Sequence, residues 1–145
     1  MFKFKLEALL NHRRYQEEVL QKDLAASKKE LMDEQVKLRK QKDAKRQCVR
    51  DLNQKQQSSK SAADILSYFL YLDRLSEEIN RQQKRVISAE QRFIAVRSDL
   101  IAAMKKRKTL EKLKENHHRT YQLEIQRNER SLMDEIAINR HIRSH

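Results

Sequence analysis

The chain contains no glycine and no proline in 145 residues. Glycine supplies positive φ and proline supplies a fixed φ in tight turns, and average proteins carry roughly 7% and about 5% of them. A chain without either residue makes very few turns. Its commonest residues, among them Gln, Lys, Arg, Glu, Leu and Ala, favour helices. Because only 38% of the residues are apolar, we predict an all-α protein whose long helices share a narrow coiled-coil seam.

The same composition argues against several classes of site. Phosphate-binding loops need glycine where the backbone approaches phosphate. The single cysteine, Cys48, cannot form an intrachain disulfide or a thiol metal cluster. His117 and His118 are adjacent and point to different faces of a helix, which makes a poor metal site. No nucleophile, base and orienting group converge. We predict a protein that is not an enzyme, has no cofactor or metal, and binds no small-molecule substrate.

The cellular compartment is inferred from the apolar runs and from the first residues of the chain. No apolar run approaches the ~18 residues of a membrane span, and the first ten residues, MFKFKLEALL, are too short and too charged for a secretory signal. We expect a cytoplasmic protein.

Two heptad tracks indicate a coiled coil. The first track holds Leu10, Glu17, Leu24, Leu31, Leu38, Lys45 and Leu52. The second holds Ile65, Leu72, Ile79, Val86, Phe93 and Leu100, with a companion track of Tyr68, Leu75, Gln82, Ala89, Val96, Ala103 and Leu110. Apolar heptads of this length predict that two helices pack along most of the chain.

The polar stretch NQKQQSSKSAAD, residues 53–64, interrupts both tracks. We predict an antiparallel two-helix hairpin in a single domain over residues 1–145, with helix one at about 3–56, the tip at 57–62 and helix two at 63–142. Ser61 is the expected N-cap. If the turn centres on Lys60, facing residue numbers add to 120, which pairs Leu10 with Leu110 and Glu34 with Val86. Helix two then passes the start of helix one near residue 117 and continues as an overhanging amphipathic helix.

The segment ILSYFLYL, residues 65–72, is the least polar part of the chain. Leu66, Phe69, Leu70 and Tyr71 lie off the seam. One interpretation is a plug that seals the hairpin tip. We favour the other, a docking patch for a second protein, because aromatic side chains offer large contact area at low entropic cost. The residues assigned to this patch are Tyr68, Phe69, Tyr71, Leu72 and Leu75.

The opposite end of the hairpin is basic. The net charge is +12, and the predicted register places the Lys-rich residues 104–119 beside residues 11–14. Such a charge favours acidic partners, although a solvated basic surface has the same composition.

Both ends of the chain carry a family resemblance. FKFKLEALLNHRRYQEE, residues 2–18, and RKTLEKLKENHHRTYQLEIQRNERSLMDEIA, residues 107–137, resemble the two ends of the flagellar export protein FliJ. The middle of the chain fits in pattern only. The resemblance implies an antiparallel coiled coil like the central stalk of rotary ATPases, acting in the cytoplasmic part of the flagellar type III export apparatus.

The resemblance also implies partners. The end with both termini would bind a FliI-like hexameric export ATPase, promoting its assembly and activity. The other end would reach an FlhA-like export gate, which is the only route to the membrane, and export chaperones would be escorted. Carried over by position, the ATPase-facing residues are Phe2, Phe4, Leu6, Leu10, Arg13, Leu132, Met133, Asp134, Glu135 and Ile136.

Two alternatives remain open from the residues alone. A basic coiled coil can bind nucleic acid, but Glu111 and Glu115 interrupt the Lys-rich run. The same heptads can also pair two copies of the chain as a homodimeric scaffold.

Overall fold

The computed structural model describes residues 1–58 and 61–144, which form two helices, α1 (Glu7–Gln57) and α2 (Ala62–Ser144), and no strand. The helices pack against each other as a hairpin, which confirms the predicted fold class. The chain divides into two compact units: unit 1 comprises Met1–Val19 and Ile101–His145, and unit 2 comprises Leu20–Leu100. That residues 1–145 form a single domain stays a prediction.

In unit 2, small and large apolar side chains form the seam. The buried apolar residues are Cys48, Leu52, Leu75, Ile79, Ala89 and Leu100, and Ser27 and Gln82 are buried among the polar ones. Arg92 pairs with Glu30, and the Lys55 ammonium lies 4.6 Å from the centre of the Tyr68 ring. The residue numbers of these two pairs add to 122 and 123, close to the predicted sum of 120.

The predicted pairing of Glu34 with Val86 is wrong. Gln82 Nε2 donates to the Glu34 backbone carbonyl at 3.0 Å and to the Glu34 carboxylate. The physical reason is that a half-buried carboxylate is stabilised by a hydrogen-bond donor, which Gln82 offers and Val86 does not.

The beginning of α2 has the expected cap. Ser61 Oγ accepts a hydrogen bond from the Asp64 backbone N at 3.4 Å, and Asp64 lies in the positive first turn. The predicted turn centre at Lys60 lies outside the described residues.

In unit 1, the start of α1 lies antiparallel to the middle of α2. Glu7 pairs with Lys114 at 2.8 Å and Arg14 with Glu111 at 3.6 Å, and Leu10 is completely buried. The helix begins four residues later than the predicted start at residue 3. Residues 1–4 have no regular structure, and residues 5–6 form a turn that leads into α1. Residues 122–144 of α2 are all exposed, as expected of an overhanging helix.

Candidate partner-binding surfaces

The first four residues form an arm that contacts α2 through aromatic rings. Phe2 meets His118 edge to face at a ring separation of 4.9 Å and Tyr121 at 5.6 Å, and Phe4 meets His117 at 5.7 Å. Such ring pairs favour edge-on contact because their electron-rich faces attract electropositive edges. The structure therefore gives the adjacent histidines a packing role, one on each phenylalanine. Among the described residues, no group of three or more His, Cys, Asp or Glu is placed to hold a metal ion.

The arm and α2 border an open groove of about 660 Å³. Its lining combines aromatic rings with cations: Met1, Phe2, Lys3, Lys5, His117, Thr120, Tyr121 and Glu124. This combination suits a partner side chain that is apolar or acidic.

Unit 1 also contains an ion pair between the buried Glu17, at a seam position, and the half-buried Arg107. Glu17 is only 7% exposed, and its carboxylate accepts a hydrogen bond from Arg107, whose Nη1 also donates to Glu111 at 2.8 Å. The hydrogen bond to Glu17, followed by the nearby charge of Glu111, raises the pKa of Arg107. A buried charge that loses its partner is costly, so this network favours one register of the two helices. This network was not predicted from the sequence. The feature that could have indicated it is the polar residue Glu17 on a heptad track that consists mostly of leucine.

The residues assigned to the ATPase-facing end fall into two groups. Phe4 and Leu10 are buried, and Phe2 and Arg13 are half-buried, with Arg13 Nη1 donating to Gln16 Oε1 at 3.1 Å. These side chains contribute to packing, with little surface left for a partner. Exposed members of the set are Leu6, Leu132, Met133, Asp134, Glu135 and Ile136.

Within unit 1, the structure joins Phe2 and Phe4 to residues 117–121, and it places residues 132–136 further along α2, in the segment that is exposed throughout. The predicted set is therefore divided between the arm and the overhanging helix.

The apolar segment at the start of α2, in unit 2, is mostly exposed. Leu66, Phe69, Leu70 and Tyr71 are between 45% and 61% exposed, so no described part of the chain covers them. These four residues do not act as a buried plug in the isolated chain, which favours the docking interpretation.

Two of the predicted patch residues are less accessible. Leu75 is buried at 5% exposure and Leu72 is half-buried, as their heptad positions require. Tyr68 is half-buried against Lys55, and the hydrogen bond to Tyr68 raises the pKa of that lysine. The accessible surface is thus Phe69 and Tyr71, with Leu66 and Leu70 as neighbours that the predicted set omitted.

Within residues 1–58 and 61–144, neither helix contains a segment long and apolar enough to cross a bilayer.

Comparisons with known proteins agree with this fold. The structure of a putative YscO homolog from Chlamydia trachomatis has a TM-score of 0.70 to this chain at 22% sequence identity, covering 97% of this chain and 96% of the other. No curated protein matches the sequence. The family model described as "Flagellar FliJ protein" matches residues 2–145. A match over that length, together with the helical hairpin, shows that the chain belongs to the flagellar FliJ protein family.

Proposed function

We propose that this chain is a non-enzymatic stalk of the flagellar type III export apparatus. The end carrying both termini binds the hexameric export ATPase, and the patch at the start of α2 binds the membrane export gate. Membership of the FliJ family supports a role in type III export. The observation that supports ATPase binding at this end is the contact of Phe2 with His118 and Tyr121, because this contact joins the N-terminal arm to α2. The protein acts at the cytoplasmic face of the membrane, which it reaches through these partners, and it also escorts export chaperones.

The end proposed to bind the ATPase consists of a packed part, where α1 and the arm contact α2, and an exposed part of α2. The arm and the buried Leu10 hold α1 against α2, while Leu132, Met133 and Ile136 expose 43–70% of their surface. A protein that binds an assembled ring more tightly than separate subunits shifts the equilibrium toward the ring by mass action. We therefore expect this chain to increase hexamer formation and, through it, ATP turnover.

The patch at the start of α2 supplies the second contact. Exposed aromatic rings are enriched among residues that dominate interface energies, and Phe69 and Tyr71 are 48% and 45% exposed. Leu75 is buried and Leu72 half-buried in the seam, which holds this part of α2 in place. Partner binding here leaves the seam intact.

The ATPase contact is tested by mixing the chain with a purified flagellar export ATPase and measuring hexamer formation by sedimentation, together with ATP turnover. The variant Leu132→Ser, Ile136→Ser is expected to lose most of the stimulation. The matched control is Ile138→Ser, Ile142→Ser, which alters residues that are at least as exposed and lie on another face of the same helix. Absence of any stimulation by the unaltered chain contradicts the proposal. Equal loss in both variants contradicts the assignment of residues.

A further inference from the structure

Within unit 1, the face of α2 that points away from α1 carries a row of six cations. Buried Ala103 and half-buried Leu110 and Lys114 mark the side of α2 that faces α1. At 3.6 residues per turn, the opposite side is an arc of about 100°. This arc contains Lys105, Lys108, Lys112, Arg119, Arg127 and Arg130, which we call the basic stripe. All six side chains are exposed.

No carboxylate falls on this face between the first and last cation. Residues 105–130 contain nine Lys and Arg against four Glu, and all four glutamates lie outside the arc. The first acidic residue on the face is Asp134, one turn beyond Arg130. The segregation of charge is therefore a property of the folded helix, because in the sequence the two signs are interspersed.

The stripe is also largely unpaired within the described chain. Arg119 donates to Glu115 at 3.1 Å, but the other five cations form no salt bridge with residues 1–58 or 61–144. Leu123 lies in the middle of the stripe and is 50% exposed. Over 25 residues the stripe is about 37 Å long. Neighbouring cations are about 4 to 12 Å apart along the helix axis, which is comparable with a Debye length of about 10 Å, so their fields overlap at moderate salt.

We infer that the basic stripe is a docking surface for an elongated acidic face of a partner protein. This inference rests on the proposed function, in which that partner is the export ATPase, and it specifies which side of α2 the ATPase contacts. Complementary charge of this kind raises association rates and orients the partner, and Leu123 supplies one apolar contact among the cations.

The shape of the stripe favours a protein over nucleic acid. A straight stripe, one helix wide, matches the acidic side of a helix or groove, whereas duplex phosphates wind around their axis. Single strands are held by aromatic side chains on which bases stack, and no aromatic residue lies within the arc between Lys105 and Arg130.

The test uses the full chain with Lys105→Gln, Lys108→Gln and Lys112→Gln. These substitutions remove three charges and keep side chains that favour helix. Binding to the purified export ATPase and to a 20-base-pair DNA duplex is measured between 50 and 500 mM salt.

The matched control is Lys22→Gln, Lys29→Gln, Lys40→Gln, which removes the same charge from exposed positions of α1 in unit 2. Circular dichroism verifies that both variants remain helical.

We expect the stripe variant to bind the ATPase about tenfold more weakly than the control at low salt, since three exposed ion pairs each contribute modestly. The difference should shrink as salt rises. If the unaltered chain binds the ATPase and the stripe variant binds as well as the control, the stripe inference is overturned while the proposed function stands. If the stripe substitutions weaken duplex binding and leave ATPase binding unchanged, the surface binds nucleic acid and the inference is wrong. No binding to the ATPase by the unaltered chain overturns both.

Discussion

The completely buried Leu10 gives a quantitative test of how the N-terminal end of α1 is held against α2. Leu10 is 0% exposed, whereas the adjacent Leu9 is 38% exposed. Replacing each with alanine makes the same chemical change at neighbouring positions of one helix, so helix propensity cancels in the comparison. Only burial differs between the two variants.

The expected magnitude follows from this burial. Leu→Ala substitutions in protein cores cost about 2–5 kcal/mol, the lower values occurring where neighbours collapse into the cavity. A seam between two helices can collapse more readily than a globular core, so we expect about 2–3 kcal/mol for Leu10→Ala. Leu9→Ala should cost less than about 1 kcal/mol because much of its surface remains in water.

Hydrogen exchange is the suitable assay, since ends of long helices open locally before the whole chain unfolds. Amides in residues 7–19 and 101–115 should exchange roughly thirtyfold faster in Leu10→Ala, as a stability loss of about 2 kcal/mol requires. Amides of unit 2 serve as the internal reference. Equal acceleration in the Leu9 and Leu10 variants would refute the reasoning, because it would mean that burial at residue 10 contributes nothing to the contact.

Three further predictions concern unit 2. Replacing Tyr68, Phe69 and Tyr71 with alanine should abolish gate binding and preserve helix content, while the control Ile87→Ala, Ile94→Ala, at similarly exposed sites of the same helix, should bind normally; a collapse of helix content would instead favour the plug. Burial, and secondly the charge of Asp51, raises the pKa of the Cys48 thiol, so alkylation at pH 8 should be slower in the folded chain than in urea. Because the folded state holds the thiol proton more tightly than the unfolded state, protonated Cys48 stabilises the fold. This stabilisation should be complete below the pKa of the unfolded thiol and should decline as the pH rises above about 9. A folded thiol that is alkylated as fast as an unfolded one would contradict the burial of Cys48. Ser61→Ala should destabilise the first turn of α2 by about 0.5–1 kcal/mol, seen as faster amide exchange at residues 62–65, and unchanged exchange would show that the 3.4 Å cap contributes nothing.

Much of the fold was predictable because heptad spacing and the missing turn residues act locally. Leu10 and Leu52 are buried as the first track predicts, and Leu75, Ile79 and Leu100 as the second predicts. The serine cap was predictable for the same reason, since capping depends only on residues within one turn.

The partners of polar seam residues were harder to predict. Glu34 was assigned to Val86 but meets Gln82, because a half-buried carboxylate selects a hydrogen-bond donor from several residues within reach. The start of α1 was also misplaced, since Phe2 and Phe4 gain more from contacts with rings on α2 than from another helical turn.

By itself, the amino-acid sequence determined that this chain forms two long helices with one apolar side each, since helix propensity and heptad spacing involve neighbours along the chain. The tertiary structure decided which charges are buried in pairs, such as Glu17 with Arg107, and which remain on a single exposed face. Those outcomes depend on distances between residues that are ninety or more positions apart in the sequence, and only the packing of α1 on α2 sets such distances.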